Sequence, residues 1–372
     1  MCAARRGLNA RAPSGDRWGA NRPSISYPQP MSDSTQPTRP RVFVTRRLPG
    51  DAVARLALDA DVDVDQWTDE LPPPYDELVR RAAHADAIIC LLTDRIDAAL
   101  LDAAPSLRAI ANVAVGYDNI DVAAATAGRI PAGNTPGVLT ETTADLAFAL
   151  ILACARRIVE AERFVRDNRW RTWDPGLLLG YDVHGATIGI VGYGKIGQAV
   201  ARRAAGFDMR VLYTSRSAAP DGAIGERVDL DTLLRTSDFV TLHVPMSPET
   251  AQIIGERELR LMQRTAFIIN TARGGVIDQS ALVRALEEGV IAGAGLDVAE
   301  VEPIPAGDAL LRAPNVTLLP HIGSASHMTR ERMAAMAVEN CLAALRGDRM
   351  PHCVNPAVYS AYTDAPDIPF AT

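Results

Sequence analysis

Lysine is nearly missing from this chain. Of its 38 Lys and Arg residues only Lys195 is lysine, and acids outnumber bases to give a formal net charge of −7. With no basic stripe on an acidic background, a nucleic-acid partner is excluded. Long apolar runs are also missing. The longest, Leu146 to Ala155, spans ten residues and ends at Arg156-Arg157. Crossing a membrane takes roughly 17–25, so the run reads as buried helix and no membrane partner is expected. The five cysteines are odd in number, widely spread and without metal-ligand spacing. They exclude a metal site and a disulfide framework, and point to thiols in a reducing, cytoplasmic compartment. Repeats at solenoid periods are missing too. What remains is 372 residues, 48% hydrophobic and 22% charged, enough for two globular cores.

The ends differ from the middle. Residues 1–40 hold six arginines against Asp16 and Asp33, with much Pro and Ser and little apolar periodicity. They read as a disordered leader, either a transit peptide or an upstream extension of a chain that starts at Met31. Alanine abundance and near-absence of lysine, the mark of a GC-rich gene, favour the second. Residues 357–372 read as an irregular tail.

Between them, apolar runs alternate with helical periodicity. RVFVT (41–45), Val62-Asp63-Val64, AIICL (87–91) and LRAIAN (107–112) alternate with helices ending near Leu58, Ala83, Ala104 and Ala127. Thr140 to Arg166 reads as one long apolar helix linking two domains. A second alternation begins at Thr187: TIGIV, MRVLY, FVTLHV, AFIIN, AGAGLDV and VTLLP, with a last helix from Met328 to Leu345. Such alternation specifies an α/β fold with parallel sheets.

Gly192, Gly194 and Gly197 lie between TIGIV and the helix after it. The first permits the tight turn, the second lets backbone approach a pyrophosphate, and the third packs helix on strand. Lys195 and Ile196 sit inside this turn, where free helical N–H groups face the phosphates. An NAD site would show Asp or Glu about twenty residues on. Ser215 and Arg216 stand there instead, a pair that would bind the 2′-phosphate of NADPH. NADH remains possible, because Arg216 also reads as a solvated loop residue. FAD is disfavoured, since its fingerprint usually opens a chain.

Three residues follow apolar runs of the second alternation: Arg273 after AFIINTA, Glu302 after AGAGLDV, and His321 after VTLLP. If those runs are strands, all three face the crevice beyond their carboxyl ends. That set suits hydride transfer to a keto acid: a cation for the anion, an imidazole for the proton, and a carboxylate that keeps the imidazole charged. Taken singly, Arg273 reads as a surface ion pair and Glu302 as a solvated loop acid. His84, His184 and His352 read as structural.

Six motifs carry a family resemblance: NVAVGYDNID (112–121), NTPGVLTETTADLA (134–147), GIVGYGKIGQ (189–198), NTARGGVID (270–278), GLDVAEVEP (295–303) and LPHIGSAS (319–326). In that order they resemble the D-isomer-specific 2-hydroxyacid dehydrogenases, in the glyoxylate/hydroxypyruvate reductase branch that includes 2-ketogluconate reductases. The resemblance spans about Arg41 to Pro356. It implies two Rossmann-like or flavodoxin-like domains. Residues 41–134 and 324–356 would form the substrate domain, and 135–323 the cofactor domain inserted within it. It implies Arg273 on the substrate anion, His321 as proton donor and Glu302 paired to it. Val115, Gly116 and Ser324 would line the substrate site, with His327 close by. Val244, Pro245, Thr250, Thr271, Ala272, Asp297 and Gly323 would complete the cofactor site with Arg273 and His321, Asp297 holding the carboxamide. NADPH-linked reduction of small 2-keto acids by a homodimer follows. The enzymatic rival is a dehydrogenase for another acid with the same head group, such as 2-keto-D-gluconate, phosphonate or formate, and the rival from another class is a dinucleotide-sensing corepressor. Ala114 and Ala299 depart from the usual pattern, in which glycine and an aromatic are common. Trp170 and Trp173 read as site, interface or core.

Overall fold

In the computed structural model the described residues are 39–59, 61–218 and 220–362. The first sheet is built from β1 (Arg41–Val44), β2 (Asp63–Gln66), β3 (Ala87–Cys90), β4 (Ala109–Asn112) and β5 (Ala132–Gly133). Its order is β2-β1-β3-β4-β5 and every pairing is parallel. Helices α1 (Ala52–Asp59), α2 (Tyr75–Ala82), α3 (Ala98–Ala103) and α4 (Val122–Ala127) cover it. β3 and β4 are buried at every position, as strands covered on both faces must be, which is why they read as unbroken apolar runs.

Helices α5 (Thr140–Ala155) and α6 (Ile158–Arg166) lead to a second sheet. It holds β6 (Thr187–Val191), β7 (Arg210–Thr214), β8 (Glu226–Arg227), β9 (Phe239–Leu242), β10 (Phe267–Asn270), β11 (Gly293–Leu296) and β12 (Val316–Leu318). The order is β12-β11-β10-β9-β6-β7-β8, again all parallel. Helices α7 (Lys195–Ala205), α8 (Leu230–Thr236), α9 (Glu256–Leu261) and α10 (Gln279–Glu287) connect its strands, and α11 (His327–Leu345) follows β12. α11 returns to the first sheet: Met333, Ala334, Ala337 and Cys341 share one buried core with Val42, Ile89 and Ala111. The chain is therefore an α/β protein of two parallel-sheet domains, one interrupting the other.

Four readings need correction. The long helix over 140–166 is two helices, because Arg157 takes a left-handed φ of 53° and breaks the ladder where periodicity continued. The second strand lies at 63–66, its first amide donating to Pro40 O, so residues 39–40 are ordered and do not belong to a leader. The short strands β5 and β8 carry no apolar run and were not expected. Residues 356–362 form a 3₁₀ turn in place of an irregular tail, since Val358 is buried and the Tyr359 hydroxyl accepts the Met350 N–H. The leader before residue 39 and the tail after residue 362 lie outside the described residues.

Candidate active site

Sheet order reverses around β6, which has β9 on one side and β7 on the other. Ligands bind at such a switch point, beyond the strand ends. Gly192 leaves β6 with φ +96°, and a Cβ there would come within 2.6 Å of His243 O at the end of β9. Gly194 caps α7 with no side-chain bond to the helix amides, and open space lies where its Cβ would be. The first-turn N–H groups of α7 are thus free for an anion. Two buried polar atoms stand without partners on the same rim, His243 Nδ1 and Thr271 Oγ1. Free amides, a glycine cradle and orphaned polar atoms fit a dinucleotide.

A cleft of about 640 Å³ opens between the two sheets. Of the residues singled out in the sequence it is lined by Val115, Gly116, Ile196, Val244, Pro245, Thr271, Ala272, Arg273, Asp297, His321, Gly323 and Ser324. Gly192 and Gly194 form the adjoining turn, and Lys195 and Gly197 lie in the first turn of α7. Thr250 stands behind the wall, its hydroxyl donating to Pro245 O at 2.6 Å and bracing the Val244-Pro245 loop. Ser215 and Arg216 follow β7, away from the cleft. The Ser215 hydroxyl is turned to Ser217 O at 3.0 Å, and Arg227 Nη2 ties down Ser215 O at 2.6 Å, while Arg216 is exposed.

His321 Nδ1 lies 2.7 Å from Glu302 Oε2, which leaves Nε2 toward the cleft. The other Glu302 oxygen accepts the Ala299 N–H at 3.0 Å. Burial alone would raise the Glu302 carboxyl. The hydrogen bond and charge of His321, with the Ala299 amide and Arg273, outweigh it and hold the group below the usual carboxylate range. Glu302 is therefore an anion at neutral pH, placed behind the imidazole.

His321 has a left-handed φ of 56°, uncommon without glycine. Asp297 holds it there. Its carbonyl accepts His321 N at 2.8 Å, and its two carboxylate oxygens accept Ile322 N and Gly323 N at 2.7 Å each. Burial pushes the Asp297 carboxyl up against the pull of those amides. The residue is a clamp on the His321 loop and also lines the cleft.

Arg273 enters from the end of β10. Its Nε donates to both Asp118 oxygens, at 3.1 and 3.3 Å, and Nη1 donates to Ala272 O at 2.9 Å. A Cβ on Gly116 would come within 1.8 Å of Nη2, so glycine is required for this approach. The Val115 and Gly116 amides donate to no acceptor among the described residues.

Sequence reading missed three groups here. Asp118 lies in a quoted motif but was given no role. His243 was read only as part of a strand. Arg330 on α11 lines the cleft with its Nε buried and unpartnered, and burial pulls its pKa down while the Asp297 charge partly offsets this. His327, expected to shape the pocket, is exposed at the start of α11 and does not line it. Trp170 and Trp173 belong to neither core nor cleft; they are 59% and 78% exposed. His84 and His184 are exposed, and the His352 backbone braces Asn340 and Asn134. Among the described residues no cluster could hold a metal, and no helix is long and apolar enough to cross a membrane.

The sequence profile of the D-isomer specific 2-hydroxyacid dehydrogenase NAD binding domain matches residues 148–323. A glyoxylate reductase of Korarchaeum cryptofilum is 54% identical over 86% of this chain and 97% of its own. The chain belongs to the D-isomer-specific 2-hydroxyacid dehydrogenases. Among solved structures, the TT0316 protein of Thermus thermophilus is 47% identical over 84% of this chain and 99% of its own, with a TM-score of 0.80. An NADPH-dependent glyoxylate/hydroxypyruvate reductase of Sinorhizobium meliloti, solved with NADP and malonate, is 33% identical over 86% of this chain and 98% of its own, with a TM-score of 0.76. A member of this family is an NAD(P)-dependent oxidoreductase and uses a nicotinamide dinucleotide.

Proposed function

We propose that the chain reduces small 2-keto acids, glyoxylate and hydroxypyruvate first, to glycolate and D-glycerate, and prefers NADPH. The observation that carries this is the cleft itself, where an arginine and an imidazole backed by a carboxylate face one space beside the dinucleotide cradle. The free Nη2 of Arg273 and the Val115 and Gly116 amides bind the keto acid carboxylate. His321, with Nδ1 held by Glu302, gives the Nε2 proton to the carbonyl oxygen. A nicotinamide dinucleotide held at Gly192, Gly194 and Gly197 would supply the hydride for the carbonyl carbon. Glu302, an anion in the resting site, stabilises the charged ring before transfer and orients it throughout. Ser324 bounds the pocket beside the substrate.

The NADPH preference rests on the end of β7, where Thr214-Ser215-Arg216 takes the place of a carboxylate. Arg227 fixes the backbone under Arg216. A 2′-phosphate in a charge-assisted bond to Arg216 gains roughly 1.5–3 kcal/mol, about 10- to 150-fold in affinity.

A homodimer accounts for the apolar residues left open on α6 and the segment after it, Ile158, Val165, Trp170, Trp173 and Leu179. We place the protein in the cytoplasm on its thiols: among the described residues Cys90, Cys154, Cys341 and Cys353 are free, and burial pushes Cys154 to about 11 and Cys341 to about 12.

The test is steady-state oxidation of NADPH and NADH over a panel containing glyoxylate, hydroxypyruvate and 2-ketogluconate. Glyoxylate and hydroxypyruvate should lead, with NADPH favoured at least tenfold. Arg216→Ala should raise the KM for NADPH by about 10- to 150-fold and leave NADH nearly unchanged. Equal use of both cofactors by the unmodified protein contradicts the preference, and a 2-ketogluconate optimum contradicts the substrate.

A further inference from the structure

Asp118 has no part in the scheme above, yet it makes the only ion pair of Arg273 among the described residues. It stands on the loop after β4, in the first sheet's domain, and Arg273 follows β10 in the other. The Asp118 loop is held from within. Asn112 Nδ2 donates to Gly116 O at 2.9 Å and to Asn119 Oδ1 at 3.0 Å, and Asn119 Nδ2 donates to Leu91 O and Asp94 O at 3.0 Å each. Asp118 is thus a fixed point facing a long, rotamer-rich side chain.

The pairing decides which edge of the guanidinium is available. Nε is spent on Asp118, and one Nη1 hydrogen on Ala272 O. What remains is the Nη1–Nη2 end, with Nη2 packed against Gly116. Val115 and Gly116, whose amides are unspent, line the same cleft as Arg273. Charge alone argues for the opposite of a helpful role, because a carboxylate touching the arginine weakens its pull on an anion. Asp118 is 44% exposed on its side chain, so water and salt screen that penalty, whereas the orientation of the fork is not screened.

We propose that Asp118 is a positioning residue that spans the two domains. By holding Nε it aims the Nη edge of Arg273 at the Val115–Gly116 amides, so the keto acid carboxylate meets an assembled pocket. The inference rests on Arg273 being the substrate clamp proposed above. It assigns Asp118 to carboxylate recognition and assigns it no part in hydride or proton transfer.

The experiment compares Asp118→Asn, Asp118→Ala and Arg273→Ala by steady-state kinetics with glyoxylate, by inhibition with oxalate as a non-reacting planar anion, and by NADPH titration. Losing a charge-assisted tether should raise the KM for glyoxylate and the inhibition constant for oxalate by about tenfold in Asp118→Asn, and by more in Asp118→Ala. The turnover number should fall less than about threefold, and NADPH affinity and Tm should hold. If both constants fall or stay level in the Asp118 variants while Arg273→Ala raises them, the positioning role is wrong and the clamp stands. If Arg273→Ala leaves them level, the clamp itself is wrong. A KM rise matched by lost NADPH affinity and lower Tm overturns the proposal in favour of a general structural role.

Discussion

Each sheet has one place where its strand order reverses, and the two places are furnished in opposite ways. In the five-stranded sheet the reversal lies between β1 and β3. That crevice is filled by the protein's own polar groups. Thr45 Oγ1 and Leu91 N both donate to Asp94 Oδ2, at 2.5 and 2.8 Å, and Arg46 Nη1 reaches Asp94 Oδ1 at 3.4 Å. In the seven-stranded sheet the reversal lies between β6 and β9. There the turn is glycine, α7 has no side-chain cap, and His243 Nδ1 is buried without a partner. Topology makes both crevices candidates, and the side chains decide which one takes a ligand.

The largest effect should come from the chemistry at the open crevice. His321→Asn is expected to lower turnover with glyoxylate by about 10²–10⁴-fold, the usual contribution of a general acid. NADPH binding should be nearly unchanged. A variant that keeps a tenth of the activity would remove His321 as proton donor.

The filled crevice should answer with stability alone. Asp94 is 3% exposed, and its removal in Asp94→Ala strands the Thr45 hydroxyl and the Leu91 amide. Denaturant unfolding should show a loss of about 2–3 kcal/mol. NADPH affinity should stay at the wild-type value, and a large change would mean that the first sheet's reversal also serves the cofactor.

His243 gives the open crevice a pH signature. Desolvation lowers its pKa from 6.5 to about 3. Between those values the unfolded chain binds a proton at this site and the folded chain does not. Stability therefore rises with pH through that window and is lost as pH falls below about 6.5, at most 1.4 kcal/mol per unit. At pH 5 the loss is about 2 kcal/mol, and His243→Gln should flatten that part of the profile. The same slope in the variant would show that another group carries it.

The contrast between the crevices explains what sequence could and could not disclose. Parallel strands covered on both faces appear as apolar runs, so Arg273 and His321 could be placed at strand ends from spacing alone. The glycine turn likewise announces a missing cap. Asp118 is different: its partner is 155 residues away, and only the folded chain brings them together. Arg330 sits among Thr329, Glu331 and Arg332 on a helix, where a charge ordinarily reads as solvated. The break at Arg157 was hidden because apolar periodicity runs on through it, and the exposure of Trp173 because an aromatic side chain reads equally as site, interface or core.

The most direct test of the central claim is fluorescence titration of Gly194→Asp with NADPH. Aspartate is a favoured N-cap, and open space surrounds the position of its Cβ, so the fold should be unharmed and Tm equal to or slightly above wild type. The substitution furnishes the open crevice as the filled one is furnished, with a carboxylate on the free amides. NADPH affinity should then fall by about 100-fold or more, from the loss of charge-assisted bonds and the new repulsion. Wild-type affinity in a well-folded Gly194→Asp would contradict the assignment of the dinucleotide to this turn.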